Sequence, residues 1–136
     1  MDVFVKHLGG ARFEASARGN VVISDQPVDN GGTDTGMTPP EFLLTALGTC
    51  AGYYAAEYLR TRGLPDAGLT VRVTAEKALK PARLDQFRIE VDAPVTDERH
   101  RQGIERAVHA CLVHNTLLNL PTIETVVRAA NAAIAA

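Results

Sequence analysis

Residues 37–63 read MTPPEFLLTALGTCAGYYAAEYLRTRG, and the rest of the chain is organised around them. Thr38 can cap a helix, Pro39 takes its first position, and Glu41 lies three residues past the cap. That is a capping box, with proline placed where a missing N–H costs nothing. Gly63 supplies a left-handed stop and Pro65 prevents a restart. Between these signals lie about seven turns, or roughly 36 Å of helix.

The helix is apolar over much of its surface, through Phe42, Leu43, Leu44, Leu47, Cys50, Tyr54 and Leu59. It is also crowded with small residues, among them Ala46, Gly48, Ala51, Gly52 and Ala55. Each internal glycine costs about 1 kcal/mol relative to alanine, so close approach of another backbone is the expected compensation. Glu57, Arg60 and Arg62 come only in the last turns. A helix with this distribution is expected at the centre of the fold, not on its surface.

At 136 residues the chain reads as one domain, 1–136, with enough length to bury a core. A formal charge of −2, a pI near 6.1 and the lack of any basic run argue against nucleic acid as a partner. MDVFVKHLGG lacks the apolar stretch of a signal peptide, and no apolar run is long enough to span a membrane. The expectation is a cytoplasmic protein with no membrane partner. Two cysteines in a reducing compartment are not a disulfide framework; they are buried bystanders, metal ligands or redox groups.

Before the helix, Val3 and Val5 alternate with polar residues, Gly9-Gly10 turns, and residues 11–17 and 21–24 give two more strands. The following DQPVDNGGTDTG is all turn residues, with neither the lysine nor the glycine spacing of a phosphate loop. After the helix, Leu69, Val71, Val73 and Ala75 alternate as a strand, Lys80-Pro81-Ala82 can turn, and Phe87, Ile89 and Val91 form the returning strand. Thr96, Asp97 and Glu98 open a second helix, whose apolar face runs through Ile104, Ala107, Val108, Cys111 and Leu112, and Asn115 is expected to end it. Residues 122–127 read as a last strand, and 129–136 as a short helical or frayed tail. The order βββ–α–ββ–α–β is mostly antiparallel, hence α+β and not doubly wound.

Cys50 and Cys111 each fall on the apolar face of an expected helix. Free cysteine often behaves as a small buried hydrophobe. A reactive thiol must instead become a thiolate, which needs a cation; Arg12 and Arg18 of the opening strands are the candidates. Read as lying near the end of its helix, Cys111 would face an opposing macrodipole, which favours Cys50 as attacker and Cys111 as second thiol. A metal reading uses Cys111 and His114 with His109, short of the four ligands of a structural zinc site. Glu41 either caps its helix or orients an arginine beside a thiolate, and the two roles are compatible.

The run DQPVDNGGTDTGMTPPEFLLTALGTC resembles the signature region of OsmC/Ohr-like proteins, and HACLVHNTLLNLPTIE resembles their second-cysteine segment. The resemblance implies a tightly intertwined α+β homodimer, with two long central helices packed together and strands of both chains wrapped around them. It implies a thiol-dependent peroxidase acting on organic hydroperoxides in oxidative-stress defence. Cys50 would be the peroxidatic residue and Cys111 the resolving one. Arg12, in GGAR, would lower the pKa of Cys50, with Arg18 as competitor and the other chain as a source. Glu41 would orient the arginine. An external dithiol, a lipoylated protein in some members, would reset the enzyme, with no metal or organic cofactor. In the best-known peroxidase branches the helical glutamate lies ten residues before the first cysteine; here Glu41 lies nine before Cys50 and Pro40 holds the ten-back position. One residue is about 100° around a helix. A non-catalytic dimer that binds an apolar small molecule, and a thiol–disulfide or sulfur-handling protein, are the alternatives.

Overall fold

The computed structural model describes residues 1–95 and 97–130. Thr96, expected to open the second helix, and residues 131–136 of the expected tail lie outside them. The described chain is α+β. A meander of β1 (Phe4–Gly9), β2 (Arg12–Ala17) and β3 (Asn20–Ser24) leads through a long loop into α1 (Pro39–Thr61). The hairpin β4 (Thr70–Ala78) and β5 (Arg83–Asp92) follows, then α2 (Glu98–His109) and α3 (Leu112–Leu118). Both sheets are antiparallel, in order β1-β2-β3 and β4-β5.

The ends of α1 form as the sequence dictates. Thr38 N donates to Glu41 Oε2 at 2.7 Å, and Glu41 N donates to Thr38 Oγ1 at 3.5 Å. At the other end Leu64 N bonds Leu59 O and Gly63 N bonds Arg60 O, with Gly63 at φ 64°. This pair of bonds closes a helix only if the residue after its last turn turns left-handed, which glycine does without a Cβ clash.

The core lies along one stripe of α1. Ala51, Ala55 and Leu59 are fully buried against Ile104 and Val108 of α2, with Val71, Ile89 and Val91 of the hairpin packed on them. Within the chain, the glycines of α1 face side chains of the hairpin. A Cβ on Gly48 would stand 3.1 Å from Val73 Cγ2, and one on Gly52 3.4 Å from Val71 Cγ2. Their nearest neighbours within the chain are the branched side chains of β4. At the far end of α1 the Tyr58 ring presses onto Gly103 of α2, where any Cβ would overlap it, and Arg62 stacks on the same ring at 3.7 Å.

Two expectations are corrected. The helix expected to run to Asn115 breaks at Ala110 and Cys111, the latter extended at φ −58°, ψ 131°, so Cys111 is the N-cap of α3. Alanine is the best helix former, so no local signal marks the break. The driving element is tertiary: the turn puts the Cys111 side chain, fully buried, under α1. The last strand expected at residues 122–127 is not formed in the chain, and Ile123 and Val127 are 85% and 89% exposed. Among the described residues the segment pairs with no other strand, and a strand requires a partner.

Among the described residues, the opening sheet has no more than marginal contact with the helices and the hairpin of its own chain. Its tie to them is the loop, where Asp25 N donates to Met37 O and Ser24 bridges Met37.

Candidate functional site

Two elements converge at the middle of α1. Cys50 is half-buried on that helix, and the cap of α3 brings the buried Cys111 against it. Both are free thiols, and they lie close enough for Cys50 to act on the proton of Cys111. Burial pushes the Cys111 thiol pKa up, and the contact with Cys50 adds to the rise. The N–H groups of His114 and Val113, in the first turn of α3, act in the opposite direction and offset part of it. The dipole argument made for Cys111 from the sequence is therefore reversed in sign: the residue starts a helix instead of ending one. Its burial is what separates it from Cys50.

Among the described residues, no hydrogen bond ties Glu41, Arg12 or Arg18 to either thiol. Glu41 is engaged by its own capping box, about 13 Å along the helix axis from Cys50. Arg12 begins β2, and its Nε is buried without a hydrogen-bond partner. Arg18 occupies the β2–β3 turn at φ 53°. Both arginines belong to the opening sheet, whose contact with the helices of its own chain is marginal among the described residues.

Two features escaped sequence reasoning. Asp25 is fully buried and organises the loop before α1. Its Oδ2 accepts from Thr33 N and Oγ1 and from Thr35 N and Oγ1, and its Oδ1 accepts from Gln26 N. The two threonine hydroxyls, above all, hold its carboxyl well below the usual carboxylate range. The signal was an aspartate followed at eight and ten residues by threonines in a glycine-rich loop. The second feature is a parallel stack of His109 on His114, centroids 5.3 Å apart and planes at 12°, flanking Cys111. His114 Nδ1 is buried with no hydrogen-bond partner. Among the described residues, no three of His, Cys, Asp and Glu stand where they could share a metal ion.

A broad open groove of about 1320 Å³ runs beside the site, between Leu43 and Leu47 of α1, Phe87 of β5, Ile104 of α2 and Leu117 of α3. His109 and His114 form part of its wall; neither cysteine does. Among the described residues, no helix is long and apolar enough to cross a membrane.

A long helix and a helix cap that bring two free thiols into contact, on an α+β frame of two antiparallel sheets, define a two-thiol protein suited to redox chemistry. The chain belongs to the family of OsmC-like proteins, whose model matches residues 32–126. No curated protein matches it. A solved structure from Psychrobacter arcticus 273-4, provisionally described as an osmotic stress induced and detoxification response protein, is similar with a TM-score of 0.77 and 26% identity, over 84% of this chain and 85% of that one. An OsmC-like protein from Mycoplasma pneumoniae is similar with a TM-score of 0.73 and 19% identity, over 88% and 87% of the two chains. An organic hydroperoxide resistance protein from Elizabethkingia anophelis shares the fold with a TM-score of 0.63 and 16% identity, over 84% of each chain.

Proposed function

We propose that the protein is a single-domain thiol peroxidase that reduces organic hydroperoxides and works as an intertwined homodimer. The observation that carries this reading is the contact between a half-buried and a fully buried free thiol at the centre of an OsmC-like fold. Cys50, the more accessible, attacks the peroxide as a thiolate. The O–O bond breaks, an alcohol leaves, and Cys50 becomes a sulfenic acid. Cys111 then displaces water from it and closes the disulfide. An external dithiol, of the lipoylated kind in this reading, restores both thiols. Such a cycle belongs to a reducing compartment, and the cytoplasm is the assigned location.

The homodimer is supported by the opening sheet. Phe4 is 70% exposed and Val5 56%, and among the described residues their sheet has only marginal contact with the helices of its own chain. A second copy is the natural cover, and it would bring Arg12 of one chain to Cys50 of the other. Arg12 enters with its Nε unpaired; Arg18 is its competitor. Glu41 keeps its capping role and is assigned the orienting one as well.

The groove supports a second reading, a non-catalytic dimer that binds an apolar small molecule, because no cysteine lines it. A free-thiol count before and after one equivalent of cumene hydroperoxide separates the two. The peroxidase loses both thiols quickly, Cys111→Ser converts its remaining thiol to a sulfenic acid, and Cys50→Ser is inert. Survival of both thiols in the native protein contradicts the peroxidase reading.

A further inference from the structure

The far end of α1 carries a second concave site, which the redox reading does not use. A pocket of about 410 Å³ opens between the end of α1 and the second half of α2, and neither cysteine lines it. Arg62 and Arg106 stand on its walls, one from each element. Among the described residues, Glu57 is its one carboxylate, and that charge is already neutralised. Arg60 Nε donates to Glu57 Oε1 at 2.8 Å, and Arg60 Nη2 donates to Oε2 at 2.7 Å. Two guanidinium charges are left over, for neither Arg62 nor Arg106 has an ion-pair partner among the described residues. Arg62 is set in place before anything binds. Its guanidinium lies 3.7 Å over the Tyr58 ring, and Nη1 donates to Tyr58 O at 3.4 Å and to Thr61 Oγ1 at 3.3 Å. The ring beneath is held in turn. Tyr58 Oη and His100 Nδ1 are hydrogen-bonded at 3.1 Å, and Gly103 lets the ring lie where a Cβ would overlap it. Among the described residues, Nε and Nη2 of Arg62 make no hydrogen bond, so that edge of the fork is open.

We propose that this pocket binds a phosphate group, as a small monoester or as the free ion. Phosphate brings close to two negative charges near neutral pH and several acceptor oxygens, which matches two guanidinium groups supplied by different elements. A carboxylate brings one charge and satisfies one fork. The carbonyls that end α1 would repel an anion, and three of them are already taken. Leu59 O accepts from Arg62 N and Leu64 N, Arg60 O accepts from Gly63 N, and Tyr58 O accepts from Arg62 Nη1. The Tyr54 ring and Ala107 supply an uncharged part of the wall, against which the organic group of a monoester lies. The volume falls in the range of small-molecule sites. A ligand held there ties α1 to α2.

The test titrates phenyl phosphate and, separately, inorganic phosphate into isotope-labelled protein at constant ionic strength near neutral pH. Binding is followed by the arginine Nε–H signals in proton–nitrogen correlation spectra. The expected result is saturable shifts at Arg62 and Arg106. Tighter binding of phenyl phosphate by about tenfold or more identifies a monoester site, and equal affinity identifies the free ion. Arg62→Gln and Arg106→Gln should each weaken binding by about tenfold or more. Arg62→Lys, which keeps the charge and loses the fork, should also bind more weakly than the native protein. Arg99→Gln removes the same charge elsewhere on α2 and should leave binding unchanged. Far-UV circular dichroism and Tm establish that each variant is folded. Shifts that never saturate overturn the proposal, as do shifts confined to other arginines. Equal weakening by Arg99→Gln overturns it too, because the effect is then one of overall charge. So does native binding in either Arg62→Gln or Arg106→Gln. No peroxide or thiol chemistry enters the measurement, so its outcome is independent of the redox reading.

Discussion

The two sheets are written in the same alphabet and end in opposite circumstances. β4 and β5 alternate Val71, Val73, Ile89 and Val91 with charged residues, and α1 covers their apolar face. β1 to β3 carry Phe4, Val5, Phe13, Val21 and Val22, and in one chain those side chains stand exposed. Apolar area left in water forgoes roughly 25 cal/mol per Å², and a three-stranded sheet with these side chains exposed has little to hold it. The difference teaches that the chain divides its work. The part from α1 onward holds the core cluster and both thiols; the opening sheet holds Arg12 and Arg18 and none of that cluster. Assembly of two copies, as proposed, joins what the single chain keeps apart.

The sharpest break in that comparison lies at the thiols. Cys50→Ser should lower peroxide turnover by more than about 10³-fold, whereas Cys111→Ser should retain a single turnover that stops at a sulfenic acid; steady-state and burst measurements on the two variants check this. Next in size is a complementation test between the halves. Co-expressed Cys50→Ser and Arg12→Ala chains should regain about a quarter of native activity if arginine and thiol meet across a two-fold interface. Neither variant alone should show it, and no recovery in the mixture means the two residues act within one chain.

Smaller effects probe the joint between the halves. Asp25→Ala leaves five donated hydrogen bonds without an acceptor and should lower Tm by several degrees. The pH dependence has a definite sign. The folded pKa is depressed, so the carboxylate's contribution is present above its ordinary value of 3.8 and is lost as pH falls below it toward the folded value. Urea unfolding of native protein and variant should therefore differ at pH 6 and converge as the pH falls below 4. Least in size is a contrast between two glycines. Gly103→Ala drives a methyl group into the Tyr58 ring and should cost about 1–3 kcal/mol. Gly48→Ala meets the Val73 methyl at 3.1 Å but gains helix propensity worth about 1 kcal/mol, so the two terms nearly cancel. Denaturant midpoints of the two variants measure the difference.

Much of this was legible in the sequence because it is local. Thr38, Pro39, Glu41 and Gly63 wrote both ends of α1, and period-two alternation marked the hairpin. The break at Ala110 was not legible, because alanine and cysteine carry no stop signal and the cause is burial of Cys111 under another helix. The same holds for the His109–His114 stack, which exists only once the chain has turned at that break. Asp25 was hidden among turn residues, since nothing in an isolated aspartate says that two later threonines will fold back onto it. Residues 122–127 are rich in β-branched side chains like a strand and yet pair with no strand of the described chain, which shows the limit of local composition: it gives the inclination of a segment, and pairing is a property of what surrounds it.

The measurement that bears most directly on the cysteine pair is non-reducing peptide mapping by mass spectrometry after one equivalent of cumene hydroperoxide. The expected product is a Cys50–Cys111 disulfide within a single chain, because α1 and α3 of one chain already hold the two thiols in contact. A disulfide between chains, or two unmodified cysteines, would contradict it.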